Sequence, residues 1–238
     1  MLRWSACLGF VLLLLSRPPL AAQERLTVVE LFTSQGCSSC PPADAFLGEL
    51  AKRPDVLALS EHVDYWDYLG WKDPFASSEN TQRQRAYSRR LGSGYVYTPQ
   101  MVVQGTGQIA GTDRQGVLEL VARARDLQFV PVDVNRTEDG AMVARLGPTM
   151  LPAAVDVFLV HFDPKHSTTI ARGENGGRQV QNYNVVRGFT RIAMWNGEPA
   201  SLPVLAATQG VGETWAILLQ QSDGGSILGA ARFEVPAD

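Results

Sequence analysis

The chain is predicted to fold as an α/β domain over residues 25–127, followed by an all-β, sandwich-like domain over 130–236, behind a leader at 1–22. Three observations carry this expectation. An apolar run from Leu8 to Leu15 lies between Arg3 and the breaking sequence Ser16-Arg17-Pro18-Pro19. Strand-like and helix-like segments alternate as far as Leu127, whereas beyond it short strand-like segments recur with turn signals between them. Alternation of that kind marks an α/β unit, and its replacement by strands alone marks a change of layer architecture.

The leader reads as a secretory signal: a basic start, the apolar run, then Leu20-Ala21-Ala22 as small residues for a peptidase. The run is about half the roughly 20 residues a spanning helix needs, so stable membrane insertion is not expected. Export to the periplasm or the medium is, and the arginine-rich, lysine-poor composition points to a bacterial chain. With 45% hydrophobic and 19% charged residues the chain is neither disordered nor a multispan protein. A formal net charge of −3 offers no cluster of cations to neutralise phosphates, so no nucleic-acid partner is expected.

Leu26 to Phe32 is rich in β-branched and aromatic residues and short enough for a buried strand. Thr33-Ser34-Gln35-Gly36 follows as a turn, then Cys37-Ser38-Ser39-Cys40. Ala43 to Lys52 carries Phe46, Leu47 and Leu50 at helical spacing, and Val56 to Val63 reads as a second strand. In such a βαβ unit the two strands are parallel and end at the same edge. The cysteines and His62-Val63-Asp64-Tyr65-Trp66 are therefore expected as neighbours, at the edge where open α/β sheets place their chemistry.

Cys7 leaves with the leader, so the exported chain holds one C-x-x-C pair in a compartment where disulfides persist. So short a closed loop gains little stability from a cross-link, which favours a chemical role over a scaffold role. Pro41 and Pro42 are tolerated only in a first helical turn, placing the helix start at about Ser39 or Cys40. Cys37 then lies just outside the N-terminus, where free amides and the helix dipole favour a thiolate. Cys40 lies within the first turn, and Asp44 competes for the same positive end.

Residues 64–94 are too long for a simple connection. Tyr65, Trp66, Tyr68, Trp71 and Phe75 either line a groove or form the private core of an insertion, and a polar helix over Ser78–Leu91 is expected to turn Arg83, Arg85, Arg89 and Arg90 to solvent. Thr98-Pro99 opens the next strand, at Gln100 to Val103; a proline there sits at a strand start or irregular edge and can be cis. Gly105-Thr106-Gly107 reads as a hairpin turn, and Thr112 or Asp113 as the cap of a last helix carrying Val117, Leu118, Val121 and Ala122.

The order strand, C-x-x-C, helix, strand, insertion, Thr-Pro, hairpin, helix over Arg25 to Leu127 resembles the thioredoxin fold. More narrowly, three segments resemble the secreted family catalogued as domain of unknown function 1223: Glu30 to Asp44, His62 to Tyr68, and Tyr97 to Val102. The thioredoxin resemblance implies Cys37 as attacking thiol, Cys40 as resolving thiol, Pro99 as a cis-proline facing them, and Thr98 as a backbone partner for an extended substrate. Two departures stand out. Leu31 occupies the position of the buried acid, with Glu30 on the opposite face of the strand, so His62, Asp64 or water are the alternatives for the proton of Cys40. Gly36 stands where a tryptophan precedes the first cysteine.

Strands are expected at Val130–Asn135, Ala141–Leu146, Val155–Phe162, Gln179–Val186, Gly188–Trp195, Thr214–Gln220 and Ser226–Val235, with Asp223-Gly224-Gly225 as a hairpin turn. The polar loop Arg172 to Arg178 either reaches over the cysteines, bringing Arg172 or Glu174 to a substrate, or is a mobile hairpin. The leading expectation is an envelope thiol–disulfide oxidoreductase without a cofactor, acting on a protein or small-molecule disulfide or thiol and working with a redox partner the sequence does not identify. The alternatives are Cu(I) or other metal delivery through Cys37, Cys40 and His62, and a non-catalytic binding module.

Overall fold

The computed structural model describes residues 25–204 and 214–235, so the expected leader over 1–22 lies outside the described residues. The chain is mostly β, with a large mixed sheet and, among the described residues, three α-helices. None of these helices is long and apolar enough to cross a membrane.

β1 (Thr27–Thr33), α1 (Pro41–Leu50) and β2 (Val56–His62) form a βαβ unit, with the strands parallel from Thr27↔Val56 to Thr33↔His62. Every residue of both strands is buried: helices cover one face, and on the other Val28, Leu57 and Leu59 pack against Val160, Phe162, Ala216 and Leu218. Strand side chains alternate, so Val29 and Leu31 meet Phe46 and Leu47 of α1 and Val117 of α3 (Arg114–Ala124). Phe32, on the other face, meets Tyr87 of α2 (Ser78–Arg90) and Val102 of β3 (Gln100–Val103). Ser77 and Asp113 cap α2 and α3 by accepting from Asn80 N and Gly116 N, at 3.1 and 2.9 Å.

The expected all-β part is present with a different boundary. β7 (Val155–Thr169), β8 (Gln179–Trp195), β10 (Thr214–Gln221) and β11 (Ile227–Glu234) continue the first sheet, whose order is β11-β10-β7-β8-β2-β1-β3-β4, with β4 at Gly107–Ala110. A second sheet of β5 (Val132–Arg136), β6 (Met142–Leu146) and β9 (Ala200–Pro203) packs Val132, Ala144 and Leu146 onto Val157, Leu159, Ile217 and Leu219. The sandwich therefore shares a layer with the α/β part instead of standing apart. Gln104 staples the junction: its Oε1 accepts from Val28 N at 2.9 Å, and its carbonyl accepts from Ile227 N at 2.9 Å.

Two further expectations are corrected. The strands split at Arg187 are one strand, because Gly188 stays in the ladder opposite His161. Its bend lies at Asn184, left-handed at φ 46°, from which the outer half of the β7–β8 ribbon lies along α1, with the Tyr183 ring against Gly48. Of the four arginines expected in solvent, Arg85, Arg89 and Arg90 are exposed, but Arg83 turns inward and its Nε donates to Glu30 Oε1 at 2.6 Å. Glu30 on a fully covered strand would otherwise be an unpaired buried charge.

Candidate functional site

β1 delivers the chain into a tight turn. Cys37 N donates to Ser34 O at 3.1 Å and Cys40 N to Cys37 O at 3.2 Å, and the two cysteines are joined by a disulfide with Cα atoms 5.5 Å apart. Cys40 is the N-cap residue of α1 and Pro41 opens the helix, within one residue of the expected start. Ser38 and Ser39 are exposed. Cys37, expected to be open at the helix end, is 1% exposed, and Cys40 is 0% exposed.

The cover comes from the loop between β7 and β8. Asn175, itself 1% exposed, donates from Nδ2 to Gln35 O at 3.0 Å and to Cys37 O at 2.9 Å. Glu174 Oε2 accepts from Ser38 N at 3.2 Å, and Arg178 Nη1 donates to Asn175 Oδ1 at 3.2 Å. Of the two loop residues singled out in the sequence, Glu174 reaches the cysteine turn; Arg172 is exposed and takes no part in these bonds.

On the opposite side stands Pro99, buried, with its peptide bond to Thr98 cis. Gly111 measures how closely it approaches α1: a Cβ there would lie 3.0 Å from Ala43 Cβ and 3.1 Å from Pro99 Cβ. Trp66 ties this side to the cysteines. Its indole N donates to Thr98 Oγ1 at 2.8 Å, and its backbone packs so tightly on Gly36 that a Cβ at that glycine would meet Trp66 Cβ at 3.3 Å.

Beneath the turn lies a buried polar layer. Thr33 Oγ1 donates to Asp44 Oδ1 at 2.9 Å, and Gln35 Nε2 to Asn182 Oδ1 at 3.0 Å. Asp73 Oδ2 accepts from Gln35 N at 2.8 Å and lies 2.6 Å from His62 Nδ1. Burial pushes the Asp44 carboxyl up to about 7, with His62 and the Thr33 bond opposing. Burial raises Asp73 too, but the charge and hydrogen bond of His62 outweigh it and hold it below the usual carboxylate value. Asp44 N donates to Cys40 O at 3.1 Å, so the two residues are one turn apart on one face of α1.

Asp64 is not brought to the cysteines: its Oδ1 accepts from Thr81 Oγ1 at 2.6 Å, which directs it to α2. The aromatic cluster divides. Trp71 donates to Gln35 Oε1 at 3.1 Å and Phe75 stacks edge-on to His62 at 5.4 Å, both as packing, whereas Tyr68 is 79% exposed. The metal trio of Cys37, Cys40 and His62 is not assembled: His62 Nδ1 is held by Asp73, and among the described residues no three His, Cys, Asp or Glu side chains converge as a metal site.

Asn175, Asp73, Gln35 and Asn182 went unread in the sequence as site residues. Asn175 lies inside the loop singled out by its glycines, and Asp44 was visible through its spacing of four from Cys40. Asp73 and Asn182 carry no local signal, since both reach the site from elements distant in sequence.

A family model described as "Protein of unknown function (DUF1223)" matches residues 28–220. Among solved structures, the chain is similar to protein AGR_C_4864 from Agrobacterium tumefaciens, at 34% identity and a TM-score of 0.76, with 91% of this chain and 98% of that one covered. It is also similar in fold to HBP35 of Porphyromonas gingivalis, at 13% identity and a TM-score of 0.55, with 90% and 76% of the two chains covered. No curated protein matches.

Proposed function

This chain belongs to the DUF1223 family, and on that footing we propose that it is an exported thiol–disulfide oxidoreductase with a thioredoxin-like arrangement of its reacting groups. The observation that carries the reading is the convergence of Cys37–Cys40, the first turn of α1 and the cis Thr98–Pro99 peptide, joined by Trp66. In the reduced chain, the Cys37 thiolate attacks one sulfur of a substrate disulfide; that S–S bond breaks, a mixed disulfide forms and a substrate thiolate leaves. Cys40 then loses its proton and attacks Cys37, which re-forms the Cys37–Cys40 disulfide and releases the second substrate thiol. The substrate is reduced by two electrons and the dithiol oxidised by two; run backwards, the same steps oxidise a substrate dithiol.

The proton of Cys40 needs an acceptor. Asp44, one helical turn away and pushed up to about 7, is the group whose affinity matches a proton moved near neutrality. His62 opposes the effect of burial on Asp44, whereas Asp73, 2.6 Å from His62 Nδ1, adds to it. For any thiol to reach Cys37, the loop carrying Glu174 and Asn175 has to lift. A second reading, a binding module whose disulfide is never opened, is favoured by the burial of both sulfurs.

Insulin reduction by the mature chain, with dithiothreitol as electron donor, separates the two. Turnover above a Cys37→Ser control supports the oxidoreductase; turnover equal to that control leaves the binding module.

A further inference from the structure

We infer that the free edge of β8 from Gln179 to Tyr183 is a docking site for an extended polypeptide segment lying beside the Cys37–Cys40 disulfide. The occupant is the stretch of substrate chain flanking its reacting cysteine, so this inference rests on the exchange reading above while the site itself is read from backbone geometry.

The phase of the β7–β8 ladder fixes which amides are free. Ile170 N donates to Arg178 O at 2.9 Å, and Ile170 O accepts from Gly177 N at 2.8 Å. Both backbone groups of Ile170 therefore point across the ribbon. Two residues back, Thr168 points the same way and faces Val180, and two further back His166 faces Asn182, with no irregularity in this stretch. Gln179, Gln181 and Tyr183 are the alternate residues, so their N–H and C=O groups point away from β7. The other end of the strand agrees: Val185, in phase with them, is the residue that meets β2, at Ser60. Before Asn184 the strand bends away from β2, so that edge meets no strand among the described residues.

What lies along the edge is a cleft of about 380 Å³, floored by Pro41, Asp44 and Ala45 of α1. Pro41 directly follows Cys40, so a strand added here runs to the disulfide. Unpaired strand amides recruit another strand, with main-chain hydrogen bonds giving affinity irrespective of side-chain sequence. Arg178 adds a guanidinium at the mouth of the cleft with no carboxylate partner among the described residues, which suits an acidic side chain on the incoming segment.

The test uses the full oxidised chain and fluorescein-labelled, S-carbamidomethylated insulin B chain, read by fluorescence anisotropy. Gln181→Pro deletes one edge N–H without touching the β7 ladder, while Gln181→Ser keeps it. The inference expects binding by the unmodified chain and by Gln181→Ser, and binding about tenfold or more weaker with Gln181→Pro. Equal weakening by both variants, which would assign the effect to the side chain, overturns it, as does no binding to the unmodified chain. Should Gln181→Pro fail to fold, the B chain N-methylated at alternate residues replaces it, and undiminished binding of that peptide also overturns the inference. Peptide binding that persists while the disulfide exchanges with no thiol would instead remove the oxidoreductase reading and leave the docking edge standing.

Discussion

The side-chain amide of Asn175 donates to the carbonyl of Cys37 at 2.9 Å, joining two points 138 residues apart in the chain. Through this bond and its companion to Gln35 O, the β7–β8 loop is a cover held down on the cysteine turn rather than a free hairpin. Asn175→Ala removes both donors and leaves two buried carbonyls without them, at a cost of about 1–3 kcal/mol. The disulfide should then be reduced by dithiothreitol about tenfold faster, measured by acid quench and mass analysis. An unchanged rate would show that the loop does not gate access.

Asp44 makes stability depend on pH in a defined direction. Its folded-state value, about 7, stands above the ordinary 3.8, so the native state favours the protonated acid. That stabilisation is full below about pH 4 and is lost as pH rises through about 7, by at most about 4 kcal/mol for a gap of roughly three units. Asp44→Asn should flatten the slope between about pH 4 and 7 in urea unfolding. A slope identical to that of the unmodified chain would place the titration elsewhere.

On the far face of the sheet, Arg83, Glu30 and Glu61 form a buried cluster whose members differ in weight. Burial first, and the charge of Glu30 second, push Glu61 well above the usual carboxylate value, which favours its neutral form. Glu61→Gln should therefore cost less than about 1 kcal/mol, whereas Arg83→Met, which strands Glu30, should cost about 3–5 kcal/mol. Denaturant melts of the two variants check the ordering, and equal losses would contradict it.

The shared sheet predicts one unfolding transition. Trp66 reports the cysteine region and Trp215 the β10 region, and both strands systems hang on Gln104 and the β2–β8 contact. Fluorescence of single-tryptophan variants retaining one or the other should give coincident urea midpoints. Separate midpoints would restore two independent domains.

What was legible in the sequence was local. Leu26 to Phe32, Pro41-Pro42 and the cap at Asp113 each write their own conformation through β-branching, a missing N–H or a side-chain acceptor, and the helices begin within a residue or two of where those signals put them. The shared layer was not legible, because nothing in Gln179 to Trp195 tells a strand which neighbour it will take. The bend at Asn184 has only a polar residue tolerant of positive φ as its trace. The site divides the same way: Cys37 and Cys40 stand out by their C-x-x-C spacing and Thr98-Pro99 by what the thioredoxin resemblance implies, whereas Asp73 and Asn182 enter through tertiary contacts that the sequence does not record.

The most direct test of the central claim is to trap the exchange intermediate. With Cys40→Ser the second step is removed, so native protein incubated with insulin should accumulate a mixed disulfide that peptide mapping places on Cys37. No adduct at Cys37 in the folded protein, with adduct forming only after denaturation, would contradict the account.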